Sequence, residues 1–90
     1  MKQESKENLR MIRQESPVLQ IGKNGISPLL LKEIEEQLKR NAIIKIRFLK
    51  NGPYKNRSHA FHKLQQQLPN WIELLEVRGW TGILKNKIKG

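Results

Sequence analysis

Cysteine and aspartate are both missing from this 90-residue chain, and acid of any kind is scarce: eight glutamates stand against eighteen lysines and arginines. Without cysteine there is no disulfide framework and no thiolate metal site, which fits a reducing compartment. Without aspartate, and with Ser27 placed to cap a helix, no nucleophile–base pair or carboxylate pair assembles, so no enzyme is expected. His59 and His62 are three apart on a predicted helix with no third ligand nearby, so no metal and no cofactor are expected. No apolar run approaches the ~20 residues that span a bilayer. The stretch MKQESKENLRMIRQES has no apolar segment and carries Glu4, Glu7 and Glu15, unlike a signal or transit peptide. These absences lead to the expectation of a cytoplasmic protein with no membrane and no small-molecule partner.

What is abundant is positive charge, a net +10. No acid occurs between Glu36 and Glu73, a stretch that holds Lys39, Arg40, Lys45, Arg47, Lys50, Lys55, Arg57 and Lys63. A balance this one-sided implies a polyanionic partner, nucleic acid foremost. Ninety residues suffice for one small domain with one modest core, here residues 1–90 with 1–3 and 87–90 expected to fray.

Periodicity places the elements. Residues 2–14 read as a helix with Leu9 and Ile12 on one face and Lys6, Arg10 and Arg13 on another. VLQI, residues 18–21, is a short strand. Ser27 and Pro28 form an N-cap and first-turn signal, and Leu30, Leu31, Ile34 and Leu38 follow at helical spacing. Asn41 is a candidate left-handed terminator. Residues 42–49 alternate as a strand, with Ile44, Ile46 and Phe48 on one face and Lys45 and Arg47 on a solvated one. After a turn-rich loop, Ser58 caps a helix bearing Ala60, Phe61, Leu64 and Leu68. Two strands, 71–77 and 80–86, close the chain around an Arg78–Gly79 turn. The expected fold is α/β: one small domain of order α-β-α-β-α-β-β, with a mixed four-stranded sheet packed with helices.

The junction QIGKNGISP concentrates the functional signal. Gly22 and Gly25 admit close backbone approach and positive φ, and successive N–H groups ahead of a helix form an anion nest. Lys23 adds a cation and Asn24 an amide. Such a turn suits a phosphodiester backbone, read by charge and shape rather than base identity. A KH module also clamps nucleotides with a GxxG loop, but its loop joins two helices, whereas the segment before Gly22 reads as a strand.

PVLQIGKNGISPLLLKEIEEQLKRNAIIKIRF, residues 17–48, resembles the CRM (chloroplast RNA splicing and ribosome maturation) domain, whose single-domain prokaryotic members are the YhbY-like proteins. The likeness rests on the strand ending in I-G, the polar GxxG, the L-x-x-E-I helix and the I-K-I strand. EVRGWTGIL, residues 76–84, resembles the family's closing hairpin. The segment Lys50–Pro69 matches no family pattern, and Lys85 and Asn86 stand where the family often has an aromatic residue and arginine. The resemblance implies a ribosome-assembly RNA-binding protein that engages structured RNA, large-subunit rRNA or pre-ribosomal particles, through Gly22, Lys23, Asn24 and Gly25; a monomer is expected. Lys6, Arg10, Arg13 and Lys32 would extend the footprint, with Arg40, Lys45 and Arg47 as further candidates. Tyr54, in a basic loop, is the best base-stacking candidate, while Trp71 and Trp80 read as packing residues. Rival readings are an Alba-like architectural protein that coats duplex DNA, and a permanent ribosomal protein.

Overall fold

The alternation in IIKIRF organises the fold. Ile44, Ile46 and Phe48 are all buried along strand β2 (Ile43–Phe48), and Lys45 and Arg47 point the other way. The structure is a computed structural model that describes residues 9–50 and 52–88. Around β2 lie β1 (Leu19–Ile21), β3 (Ile72–Arg78) and β4 (Thr81–Asn86), in the sheet order β1-β2-β4-β3. β1 runs parallel to β2, and the β2–β4 and β3–β4 pairs are antiparallel. With helices α1 (residues 9–14), α2 (Pro28–Arg40) and α3 (Arg57–Gln67), the order is the expected α-β-α-β-α-β-β around a mixed four-stranded sheet.

The core lies on one face of the sheet. Leu30, Ile34 and Leu38 of α2 and Ala60, Phe61 and Leu64 of α3 pack with Ile21, Ile44, Ile46, Phe48, Ile72 and Leu84. Burying each large aliphatic side chain stabilises by about 1.5–3 kcal/mol. α2 starts as its sequence signals: extended Ser27 accepts a hydrogen bond from the Leu30 N–H at 3.1 Å, with Pro28 at the first helical position. Its end differs from expectation. Asn41 is extended, at φ −126°, because the chain runs directly into β2 and needs no reversal. α3 starts earlier than expected: Asn56, not Ser58, is the cap, its Oδ1 accepting from the His59 N–H at 2.8 Å. Asparagine caps as well as serine does, so composition alone did not choose between them.

The β3–β4 hairpin is shifted by one residue from expectation. Arg78 still pairs with Thr81, so the two-residue loop is Gly79–Trp80, with Gly79 at φ 57°. On β4, Gly82, Leu84 and Asn86 face the core. Buried Asn86 donates to the Leu38 carbonyl at 2.9 Å, satisfying an end-of-helix acceptor of α2, and its Oδ1 accepts from Ile88 N–H at 2.9 Å. Residues 87 and 88, expected to fray, form a turn, and the Lys87 N–H also bonds to the Trp71 carbonyl at 2.9 Å. Residues 1–3, 89 and 90 lie outside the described residues.

The opposite face of the sheet is not uniformly solvated, because α1 docks on part of it. The Arg13 guanidinium grips Glu76 of β3, Nε to Oε2 at 2.9 Å and a terminal nitrogen to Oε1 at 2.6 Å. The Lys45 ammonium donates to the carbonyls of Arg13 and Glu15, each at 2.8 Å, and so caps the end of α1. Ile83, which pairs with both Lys45 and Glu76, is buried on this face.

Two measurements test this packing. A Cβ on Gly82 would lie 2.5 Å from Phe61 Cε1 and 3.1 Å from Cζ, so Gly82→Ala forces the Phe61 ring off the sheet. Chemical denaturation should show a loss of about 1–3 kcal/mol, typical of overpacking. The Arg13 hydrogen bonds hold the Glu76 carboxyl below its ordinary value of 4.5, against an opposing effect of burial. The carboxylate form is therefore favoured by folding. Its stabilisation is full above the ordinary glutamate range and disappears as pH falls through the lowered value. Wild type should exceed Glu76→Gln in thermal midpoint at neutral pH, and the gap should close in acid.

Candidate nucleic-acid interface

β1 delivers the chain into a tight turn at one end of the sheet. The Gly25 N–H donates to the Gly22 carbonyl at 3.0 Å, so Lys23 and Asn24 occupy the two corner positions, both exposed. Gly25 adopts φ 73°, where a Cβ would also meet the Tyr54 hydroxyl at 2.8 Å and Pro53 Cγ at 2.9 Å. Gly22 is different. It has no positive φ, and the nearest atom to an added Cβ is Leu49 Cδ1 at 4.0 Å. The fold therefore requires glycine at position 25 and not at position 22.

Tyr54 is the support of this turn rather than a free stacking platform, which corrects the expectation drawn from its basic loop. Its hydroxyl accepts from the Ile26 N–H at 2.8 Å. Its ring packs edge-on against Phe48 at 5.4 Å and against His59 at 5.7 Å. The Leu49 N–H donates to Ile21 O at 2.9 Å and the Gly52 N–H to Leu49 O at 3.2 Å, folding the loop back over the turn. Residues 52–54, within the Lys50–Pro69 segment that matches no family pattern, thus buttress the turn. Lys50, Lys55 and Arg57 are exposed.

Some donors of the expected nest are used within the fold: Gly25 N–H by Gly22 O, Ile26 N–H by Tyr54, and Leu30 N–H by the Ser27 hydroxyl. The turn also offers outward the Lys23 ammonium and the Asn24 amide. A fixed turn presenting a cation and an amide can grip phosphate oxygens with little further ordering.

The remaining candidates divide. Lys32 is exposed on α2, Arg10 on α1 and Arg47 on the sheet face away from the core. Arg13 and Lys45 are engaged in docking α1, so the expected Lys6–Arg10–Arg13 stripe loses its third member, and Lys6 lies outside the described residues. Arg40 lines a groove with Glu33 and Glu36, where a phosphate would face carboxylates. His59 is half-buried against Tyr54 and His62 is exposed, and among the described residues no three histidine or acidic side chains gather as metal ligands. Trp71 and Trp80 are half-buried against the core. Lys50 and Arg78, which the sequence reading does not single out as site residues, are also exposed. The turn signal beside each marks an exposed position, but only the sheet topology brings β2's end and the β3–β4 loop to the same end of the sheet as the Gly22–Gly25 turn.

The family model described as the CRS1/YhbY (CRM) domain matches residues 1–84. No curated protein matches the chain. Among solved structures, the chain is similar to the solution structure of the hypothetical protein SAV1595 from Staphylococcus aureus, itself described as a candidate RNA-binding protein. The identity is 26% and the TM-score 0.65, over 92% of this chain and 84% of that one.

The inequality of the two glycines is measurable. Gly25→Ala should lose about 1–3 kcal/mol of stability, from the left-handed backbone and the contact with Tyr54. Gly22→Ala should be neutral, or stabilising by about 0.4–1 kcal/mol through the unfolded chain. Urea midpoints of the two variants, read side by side, check both.

Proposed function

Because the chain belongs to the CRS1/YhbY (CRM) domain family, we propose that it is a non-catalytic RNA-binding protein that assists assembly of the large ribosomal subunit. It grips structured ribosomal RNA at the Gly22–Gly25 turn. The observation that carries this reading is the exposed Lys23–Asn24 corner, fixed to the core through the Tyr54 hydroxyl. Its contacts are to backbone phosphates, which set register and orientation rather than base sequence. Lys32 on α2 and Lys50 at the end of β2 enlarge the positive field around the corner. The net charge of +10 draws a polyanion to the surface at low salt. The RNA-binding role proposed for the Staphylococcus aureus neighbour agrees with this assignment. The reading implies a cytoplasmic monomer that leaves the particle once assembly is complete.

A salt-titrated competition tests it. Wild type and Lys23→Glu each face large-subunit ribosomal RNA fragments and duplex DNA of equal length. Structured RNA should win, and Lys23→Glu should weaken it about tenfold or more, the loss of one charge-assisted contact. Its thermal midpoint should stay unchanged, because Lys23 is exposed and unsupported by other contacts. Equal binding of duplex DNA, together with an indifferent variant, would remove both the turn and the assembly role.

A further inference from the structure

The sheet face opposite the core carries a feature that the turn does not use. Strand register places Gln20 beside Arg47, Arg47 beside Thr81, and Thr81 beside Arg78, one residue from each of the four strands. Gln20, Arg47 and Arg78 are exposed, and Thr81 is half-buried. At ~4.8 Å between strands, the row spans about 14 Å. It begins two residues before Gly22, so it is continuous with the turn.

The next row, Lys45–Ile83–Glu76, lies under α1, which Arg13 and Lys45 hold in place. Among the described residues, nothing covers the upper row. A cavity of about 220 Å³ is lined by the lower row, by Thr81 and Arg78 of the upper row and by Arg13. Its single carboxylate, Glu76, is already chelated by Arg13, and Arg78 Nε is 3.2 Å from Glu76 Oε2. The Arg78 side chain remains 69% exposed. Arg47 makes no ion pair with any described residue. The outer surface of α2 is mixed, with Glu33 and Glu36 exposed and Glu35 half-buried against exposed Lys32, Lys39 and Arg40. A polyanion leaving the turn therefore meets no net charge along α2 and a net positive one across the sheet.

We propose that the Gln20–Arg47–Thr81–Arg78 row is a second phosphate-binding subsite, which carries the RNA backbone from the Gly22–Gly25 turn across the sheet face opposite the core, beside α1. This rests on the RNA-binding reading above. Two guanidinium groups two strands apart supply planar donors for phosphate oxygens, and Gln20 and Thr81 supply neutral hydrogen-bonding groups between and beside them. The row holds no aromatic side chain. Unlike sheet surfaces that stack bases, it reads backbone and tolerates sequence.

The test uses the full chain and one large-subunit ribosomal RNA fragment, with Kd measured from low to high salt. Arg47→Gln/Arg78→Gln should weaken binding at low salt and flatten the slope of log Kd against log salt by about 1.4–1.8, two phosphate contacts' worth. Arg57→Gln/Lys63→Gln, which removes equal charge from α3, should leave the slope near wild type. Gln20→Glu, a surface change that places a carboxylate in the row, should weaken binding independently of any effect of the arginine variant on folding. Wild-type affinity and slope in both row variants would overturn the subsite while leaving the turn intact. Equal losses in the row and α3 variants would reduce the effect to overall charge and overturn it too. A wild-type protein that binds no RNA at any salt overturns the RNA reading and this subsite together.

Discussion

Phe48, at the end of β2, joins the stability of this protein to its surface chemistry. Its ring meets Phe61 of α3 edge-on at 4.9 Å and Tyr54 at 5.4 Å. The first contact locks α3 to the sheet. The second holds the tyrosine whose hydroxyl satisfies Ile26 and fills the space above Gly25. The exposed corner at Lys23 and Asn24 is therefore mounted on a buried aromatic stack rather than on a loose loop. Pre-ordering of this kind reduces the entropy lost when a ligand docks.

Net charge overstates the number of cations available to a partner. Arg13 and Lys45 are used within the fold, one on a carboxylate and one on carbonyls at the end of α1. They convert part of a cationic sheet face into a docking surface for α1. Lys23, Arg47, Lys50 and Arg78 remain exposed toward the end of the sheet where β1 and β2 finish and the β3–β4 hairpin turns, while on α2 three glutamates offset Lys32, Lys39 and Arg40. The local arrangement of charge, rather than its total, orients a bound polyanion.

Local patterns revealed most of the fold. The alternation in IIKIRF, the Ser27–Pro28 start and the Leu30–Ile34–Leu38 spacing each encode an element within a few residues, and each is as the sequence implies. The elements were legible because periodicity and capping are local physics. Long-range partnerships were not. Tyr54 reaches Ile26 across 28 positions and Arg13 reaches Glu76 across 63, and neither leaves a mark in its own neighbourhood. The same limit made Gly22 and Gly25 look equivalent. What separates them is the presence of Tyr54 and Pro53 above only one of them.

The two outer strands have a consequence for life at high concentration. A sheet with unpaired edges can recruit a neighbour's strand onto them. Here β1 offers only three residues, and β3 breaks its register between Leu74 and Glu76. A three-residue edge gives an incoming strand too few hydrogen bonds to repay its ordering, and the bulge twists the other edge out of a flat ladder. Both edges are therefore poor templates for strand addition by another chain.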